Sequence, residues 1–188
     1  RPIARVWRMS YCATVTLHDA HGKGLLTLRY GAMPGCDTDE EIVAALEHDV
    51  KTLCARRPDL KVGLICDGAA EMWNLLHGRL TDATLDRALR ELVDLWHLLQ
   101  KVGKALRTRY DEARTAKELA RWKLRLLNRS SAAQELRDEL RAWLDAPEDE
   151  PAGEGDALKE AVGFLTRQLR AGHLDYAAAR RAGQPVGS

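Results

Sequence analysis

The rhythm of apolar and polar residues changes twice along this chain. From Val6 to Leu17 the stretch VWRMSYCATVTL is rich in β-branched and aromatic residues, the composition of a strand. The turn residues of HDAHGKG follow, and LLTLRYG, Leu25 to Gly31, reads as a second strand, so the two predict a hairpin. After a polar break at MPGCDTDE, the residues Ile42, Val43, Leu46, Val50, Leu53 and Cys54 recur at helical spacing. They predict a helix with one buried face that stops near Arg57-Pro58, because proline cannot continue it. Asp37 or Thr38 stands where its N-cap belongs, and the acidic first turn suits the positive end of the helix dipole.

In KVGLICDGAAEMWNLL, Val62 to Cys66 is short and apolar on both parities, which predicts a central strand reached by a crossover. Ala70 to Leu76 reads as a short helix. LTDATLDRAL is ambiguous, with Thr81 as a candidate cap. Leu89 to Val93 is a second short apolar run, and helical periodicity then dominates over Leu95 to about Arg109, Glu112 to Leu127 and Ser131 to Leu144. NRSS, Asn128 to Ser131, breaks the last two, with Ser130 or Ser131 as the natural cap. Residues 146 to 156, APEDEPAGEGD, are rich in proline, glycine and acid and read as a flexible loop. A last helix over Ala157 to Arg170 precedes a tail, GHLDYAAARRAGQPVGS, that ends in turn residues. No internal repeat interrupts this order.

Charge adds a second layer, since a net charge of only +1 over 188 residues conceals strong segregation. Residues 37 to 50 carry six acids and no Lys or Arg, whereas residues 101 to 129 carry ten bases against three acids. A block of that kind permits phosphate contacts, and basic residues on long helices are more often simply a solvated face. No apolar run reaches the roughly 20 residues of a membrane span and no leader sequence is evident, so a cytoplasmic protein is expected. Cys12, Cys36, Cys54 and Cys66 include no Cys-x-x-Cys pair, and reduced, mostly buried thiols are expected. The opening Arg1-Pro2, with no initiator Met, and the closing Gly187-Ser188 suggest a processed or engineered product or a piece of something longer.

Both short apolar runs end in a carboxylate: Asp67 in LICDGA and Asp94 in ELVDLWH. In an α/β sheet the carboxyl ends of central strands face the crevice where ligands bind, and carboxylates there suit a hard divalent cation such as Mg²⁺. Two plainer readings compete. Asp67-Gly68 is a turn signal in its own right, and Asp94 sits where the next helix needs an N-cap. His97, one turn beyond Asp94, has Leu98, Leu99 and Val102 around it, as a packed histidine would. Ser130 and Ser131 lack a base to activate them, and GKG at Gly22 to Gly24 lies in a turn and forms no phosphate loop. Of Trp7, Trp73, Trp96, Trp122 and Trp143, most fit core packing, while an exposed one could stack on a base.

Taken in order, WRMSYCATVTLHDAHG, ICDGAAEMWNLL, ELVDLWHLLQKVGKAL, ARWKLRLLNRSSAA and LDYAAARRAGQPVGS resemble the catalytic core of bacterial insertion-sequence transposases of the ISKra type, relatives of the Mutator-like group. The resemblance covers nearly the whole chain. It implies an α/β, RNase H-like mixed sheet lacking its first strand, an all-helical insertion, and an Asp-Asp-Glu catalytic set. The implied layout is a core over residues 1–97, an insertion over 98–170 with the acidic loop, and a return toward the last catalytic helix over 171–188. Asp67 becomes the second catalytic acid and a metal ligand. Asp94 and His97 form an acid-x-x-His signature that positions the site from behind.

The first Asp and the Glu match no residue here, since Asp19 lies in a turn, Asp37 caps a helix and Glu160 lies in the insertion. The resemblance further implies two Mg²⁺ (or Mn²⁺) ions in the complete site, transposon and target DNA as partners, homo-oligomers on paired ends, and a nucleoid-associated cytoplasmic location. Lys101, Lys104, Arg107, Arg121, Lys123 and Arg125 are the expected phosphate contacts. The alternatives are a catalytically inert remnant that binds DNA or a partner transposase, and an unrelated α/β module for a small anion, which lacks a phosphate-cradling loop.

Overall fold

Asp19 folds the first turn: its Oδ1 accepts from the backbone N–H groups of His21 at 2.8 Å and Lys23 at 2.9 Å. The computed structural model describes residues 11–31, 39–145 and 155–187. Around this turn β1 (Cys12–His18) and β2 (Gly24–Gly31) pair antiparallel, Cys12 opposite Gly31, with an irregularity at Leu17/His18. The hairpin belongs to a first compact unit, residues 1–62 with 70–89. In it, α1 (Asp39–Arg56) buries Ile42, Val43, Leu46 and Cys54, and α2 (Ala70–His77) adds Trp73 and Leu76.

Two polar ties fasten this unit. Tyr30 of β2 donates to Asp49 of α1 at 2.5 Å, and its hydroxyl is pushed well above the usual phenol range, first by burial and then by that carboxylate. The Arg87 guanidinium donates to the carbonyls of Leu60 at 2.9 Å and Cys54 at 3.4 Å. The ambiguous LTDATLDRAL contains a one-turn helix, α3 (Asp82–Leu85), closed by a reciprocal capping box between Thr81 and Thr84.

The second unit, residues 63–69 with 90–188, is built on β3 (Val62–Cys66) and β4 (Leu89–Val93), which pair in parallel. Successive amides at the exit of β4 point to opposite sides, as strand geometry requires. Asp94 N–H donates to Cys66 O of β3 at 2.7 Å, while Val93 N–H and Leu95 N–H donate to His173 O at 3.0 Å and Val186 O at 3.3 Å in the C-terminal segment. Arg90 Nε adds a bond to Gln184 Oε1 at 2.7 Å.

Helices with apolar residues every three or four positions complete the unit. In α4 (Leu95–Arg107), Leu98, Val102, Ala105 and Leu106 are fully enclosed; α5 (Glu112–Asn128) contributes Trp122 and Leu126; α6 (Ala132–Leu144) contributes Leu136 and Leu140. From α7 (Gly155–Ala171) come Phe164 and Leu165, and from α8 (Tyr176–Arg181) come Tyr176, Ala177 and Ala179. No helix among the described residues is long and apolar enough to cross a membrane.

The α/β class holds, and several details differ from expectation. Among the described residues the strands form two separate two-stranded sheets, where one mixed sheet was expected. The second flank of β4 is occupied by the carbonyls of His173 and Val186, and among the described residues β3 has no sheet partner besides β4. Leu64 is buried but Gly63 is exposed, so β3 is not enclosed on both faces as a central strand would be.

Two local details also depart. The tail contains α8, capped by Asp175 Oδ1 accepting from Ala178 N–H at 3.0 Å, a helix not predicted from the sequence. Ser131 stands at the start of α6 without capping it. Its backbone is already helical, and its hydroxyl instead donates to Glu135 Oε1 at 2.8 Å. The strand start at 6–10 with Trp7, the cap residues Asp37 and Thr38, Cys36 and most of the acidic loop, 146–154, lie outside the described residues.

Gly68 is where the backbone turns out of β3, at φ +84°, a conformation that disfavours any side chain. A Cβ there would stand 2.8 Å from Phe164 Cζ and 3.0 Å from Val93 Cγ2. Gly68→Ala is therefore expected to lower stability by about 2 kcal/mol or more, combining the left-handed penalty with overpacking. Urea unfolding followed by circular dichroism checks this; an unchanged midpoint would refute the close approach.

Candidate metal and nucleic-acid site

Asp67 and Asp94 leave the carboxyl ends of paired parallel strands, and Asp94 N–H is bonded to the residue just before Asp67. Their environments then diverge. Asp67 is exposed, and its Oδ1 accepts from Ala69 N–H at 2.9 Å, an Asx turn that orients the carboxylate. Asp94 caps α4: its Oδ1 accepts from Trp96 N–H at 2.8 Å and His97 N–H at 3.2 Å, and its side chain is only 15% exposed. A Cβ added at Gly187 would lie 2.9 Å from Asp94 Oδ2, so the C-terminal backbone walls off that oxygen.

His97 Nδ1 lies 3.7 Å from Asp94 Oδ1, shielded from solvent and making no hydrogen bond, while its ring meets Trp96 edge to face at 5.5 Å. Both plainer readings are thus realised locally: Asp67 makes a turn and Asp94 makes a cap. Among the described residues no three His, Cys, Asp or Glu side chains converge as a group able to hold a metal. The donor chemistry fits a hard cation at one position, the open oxygen of Asp67.

Behind these strand ends runs a buried polar chain that no sequence motif announces. Gln168 Nε2 donates to Gly68 O at 2.8 Å, Gln168 Oε1 meets His173 Nδ1 at 2.8 Å, and His173 Nε2 meets Glu91 Oε2 at 3.1 Å. Chemistry sets the direction of each bond. A carbonyl only accepts, so the Gln168 amide NH₂ faces Gly68, its oxygen faces His173, and Nδ1 must carry a proton. One further proton then completes the contact between Nε2 and the Glu91 carboxyl. The participants are 82 and 100 residues apart in sequence, and the lone signal was a histidine set among apolar neighbours in AGHLDYAA.

Two neighbouring side chains, Cys66 and Tyr176, are held in their protonated forms. Burial pushes the Cys66 thiol up to about 12, opposed by the Gly68 N–H at 3.4 Å and reinforced by the charges of Asp67 and Glu91. Tyr176 is fully enclosed, and burial, then the Asp94 charge, raises its hydroxyl far above the usual range.

The six expected phosphate contacts divide into two groups. Lys101 pairs with Glu160 at 2.7 Å and lies over the Phe164 ring, Arg121 pairs with Glu118 at 2.8 Å and Glu139 at 3.4 Å, and Arg125 pairs with Glu135. Arg121 and Arg125 also cover Trp122. Lys104, Arg107 and Lys123 form no ion pair among the described residues and line an open groove together with Trp96. Of the tryptophans described, Trp73 and Trp122 are buried and Trp96 is 53% exposed. Comparison with protein-family models, with curated proteins and with solved structures finds no match to this chain.

Gln168→Leu strips the buried chain of its middle link and leaves Gly68 O and His173 Nδ1 without their partner. A loss of about 2–4 kcal/mol is expected, a fall in Tm of roughly 5–15 °C for a chain of this size, read by calorimetry. In iodoacetamide labelling of the native chain at pH 8, the exposed Cys12 is expected to react first. Cys66 should remain unmodified, since only about one thiol in 10⁴ would be thiolate there. Mass spectrometry showing equal labelling of Cys12 and Cys66 would contradict the buried environment.

Proposed function

We propose that this chain is the central part of an RNase H-like transposase core that acts in DNA strand cleavage and strand transfer, with Asp67 as one of its metal ligands. The observation that carries the reading is the position of Asp67: an exposed carboxylate, oriented by Ala69 N–H, at the exit of a parallel strand beside a second strand that also ends in Asp. Mg²⁺ is typically held through one or two carboxylates plus substrate phosphates, and a site with one open carboxylate relies on DNA and on further acids to complete it.

In this reading Asp67 Oδ2 binds the cation while Oδ1 stays tied to the backbone, so the carboxylate enters already oriented. Asp94 acts by holding the start of α4, and His97 packs behind it. Asp67 would hold a cation there, which when bound would supply activation of the attacking oxygen and stabilisation of the leaving one. The bases of α4 and α5 hold the DNA backbone, giving affinity that falls with salt. The protein works in the cytoplasm at the nucleoid, as a homo-oligomer on paired DNA ends.

A second reading has its own observation. Asp94 is committed to capping and no three-ligand group forms among the described residues, which favours a catalytically inert remnant that binds DNA or regulates a transposase. Mn²⁺ titration followed by electron paramagnetic resonance separates the two. With DNA present to complete the coordination, the catalytic reading expects one bound ion whose affinity drops at least tenfold in Asp67→Asn; identical binding by the two chains, or none by either, sinks the role of Asp67 and leaves the inert reading. In the complete transposase the same change is expected to abolish strand cleavage and leave DNA binding intact.

A further inference from the structure

Helices α4 and α5 approach closely where α4 has no side chain: a Cβ at Gly103 would lie 3.2 Å from Leu119 Cδ1. Beside that contact lies an open groove of about 500 Å³ whose ionisable lining residues are all bases: Lys104, Arg107 and Lys123. The acid whose charge acts on Lys104, Glu160, is already taken by Lys101 at 2.7 Å. Among the described residues these three cations are therefore held together without an ion-paired carboxylate, an arrangement that complements an anion.

The same groove contains Trp96, more than half exposed at the first turn of α4. An indole in water has an uncovered hydrophobic surface that a flat partner can cover. From Trp96 to Arg107 the helix advances about 16 Å. That length accommodates a few nucleotides, with a base at one end and phosphates along the rest.

We propose that this groove binds single-stranded DNA, with Trp96 stacking on a base and Lys104, Arg107 and Lys123 contacting the phosphates. Duplex DNA presents base edges in its grooves and keeps base faces stacked on one another, so an exposed indole meets a base face only in an unpaired strand. The inference deepens the transposase reading by naming the strand form and the residues, and it rests on that reading for the choice of DNA over RNA.

The test is fluorescence anisotropy of labelled dT15, a 15-base-pair duplex and rU15 with the full 188-residue chain across a salt series. Binding of dT15 is expected to exceed that of the duplex, and Trp96→Leu to weaken dT15 about 5- to 150-fold while changing duplex binding little. Replacing Lys104, Arg107 and Lys123 together with Ala is expected to flatten the log–log salt dependence by about 2, at ~0.7 per phosphate on a single strand. Lys159→Ala, an exposed base outside the groove, should change binding less than twofold, and thermal melts establish that each variant is folded.

Equal binding of duplex and dT15 with a harmless Trp96→Leu overturns the proposal, as does an unchanged salt slope in the triple variant. Tighter binding of rU15 overturns the choice of DNA. The metal titration reads separately: groove binding without Asp67-dependent Mn²⁺ binding defeats the catalytic reading alone, and the converse defeats the groove alone.

Discussion

The second unit depends on the buried hydrogen-bond chain from Gly68 through Gln168 and His173 to Glu91. Gly68 O, Gln168 and His173 are removed from water, where an unmade bond costs more than a made one contributes, and only Glu91 at the far end keeps partial contact with solvent. The chain must therefore be complete, and it can be complete only if α7 lies against the turn after β3 and the segment after α7 lies against β4. Gly68 makes the first contact possible, because Phe164 and Val93 occupy the volume a side chain would need. His173 makes the second one twice over, its ring meeting Glu91 and its carbonyl accepting from Val93. Register, helix placement and strand exit are thus set by one set of bonds.

From this follows the contrast between the two strand-end carboxylates. The C-terminal backbone that His173 and Val186 bring alongside β4 also covers Asp94, and the helix dipole and two amides hold its charge in place. Asp67, at the exit of β3, keeps one oxygen in solvent. Two residues that look alike in sequence are given different work by what packs over them. The basic helices show the same sorting. Lys101, Arg121 and Arg125 neutralise neighbouring acids, and among the described residues Lys104, Arg107 and Lys123 have none in their groove.

Much of the architecture could be read before any coordinates. Asp19 and its neighbours announced the hairpin turn, periodic apolar residues announced α1 and the long helices, and Thr81 announced a cap. These signals are local, depending on backbone chemistry within a few residues. The failures were of two kinds. α8 was hidden because six residues show too little periodicity beside Gly172 and Gly183, and Ser131 looked like a cap because sequence does not reveal that its backbone has already entered the helical region. The separate sheets and the buried chain were hidden because pairing across 82 or 100 residues leaves no mark in either partner's neighbourhood.

By itself, then, the sequence determined the described strands and every helix but α3 and α8, that two of those strands end in Asp, and that the bases cluster on α4 and α5. Tertiary structure alone decided which carboxylate stays open, which bases stay unpaired and that Trp96 remains in solvent beside them. The reason is physical: secondary structure follows from side chains three or four residues apart, whereas exposure and charge pairing depend on what distant parts of the chain bring into contact.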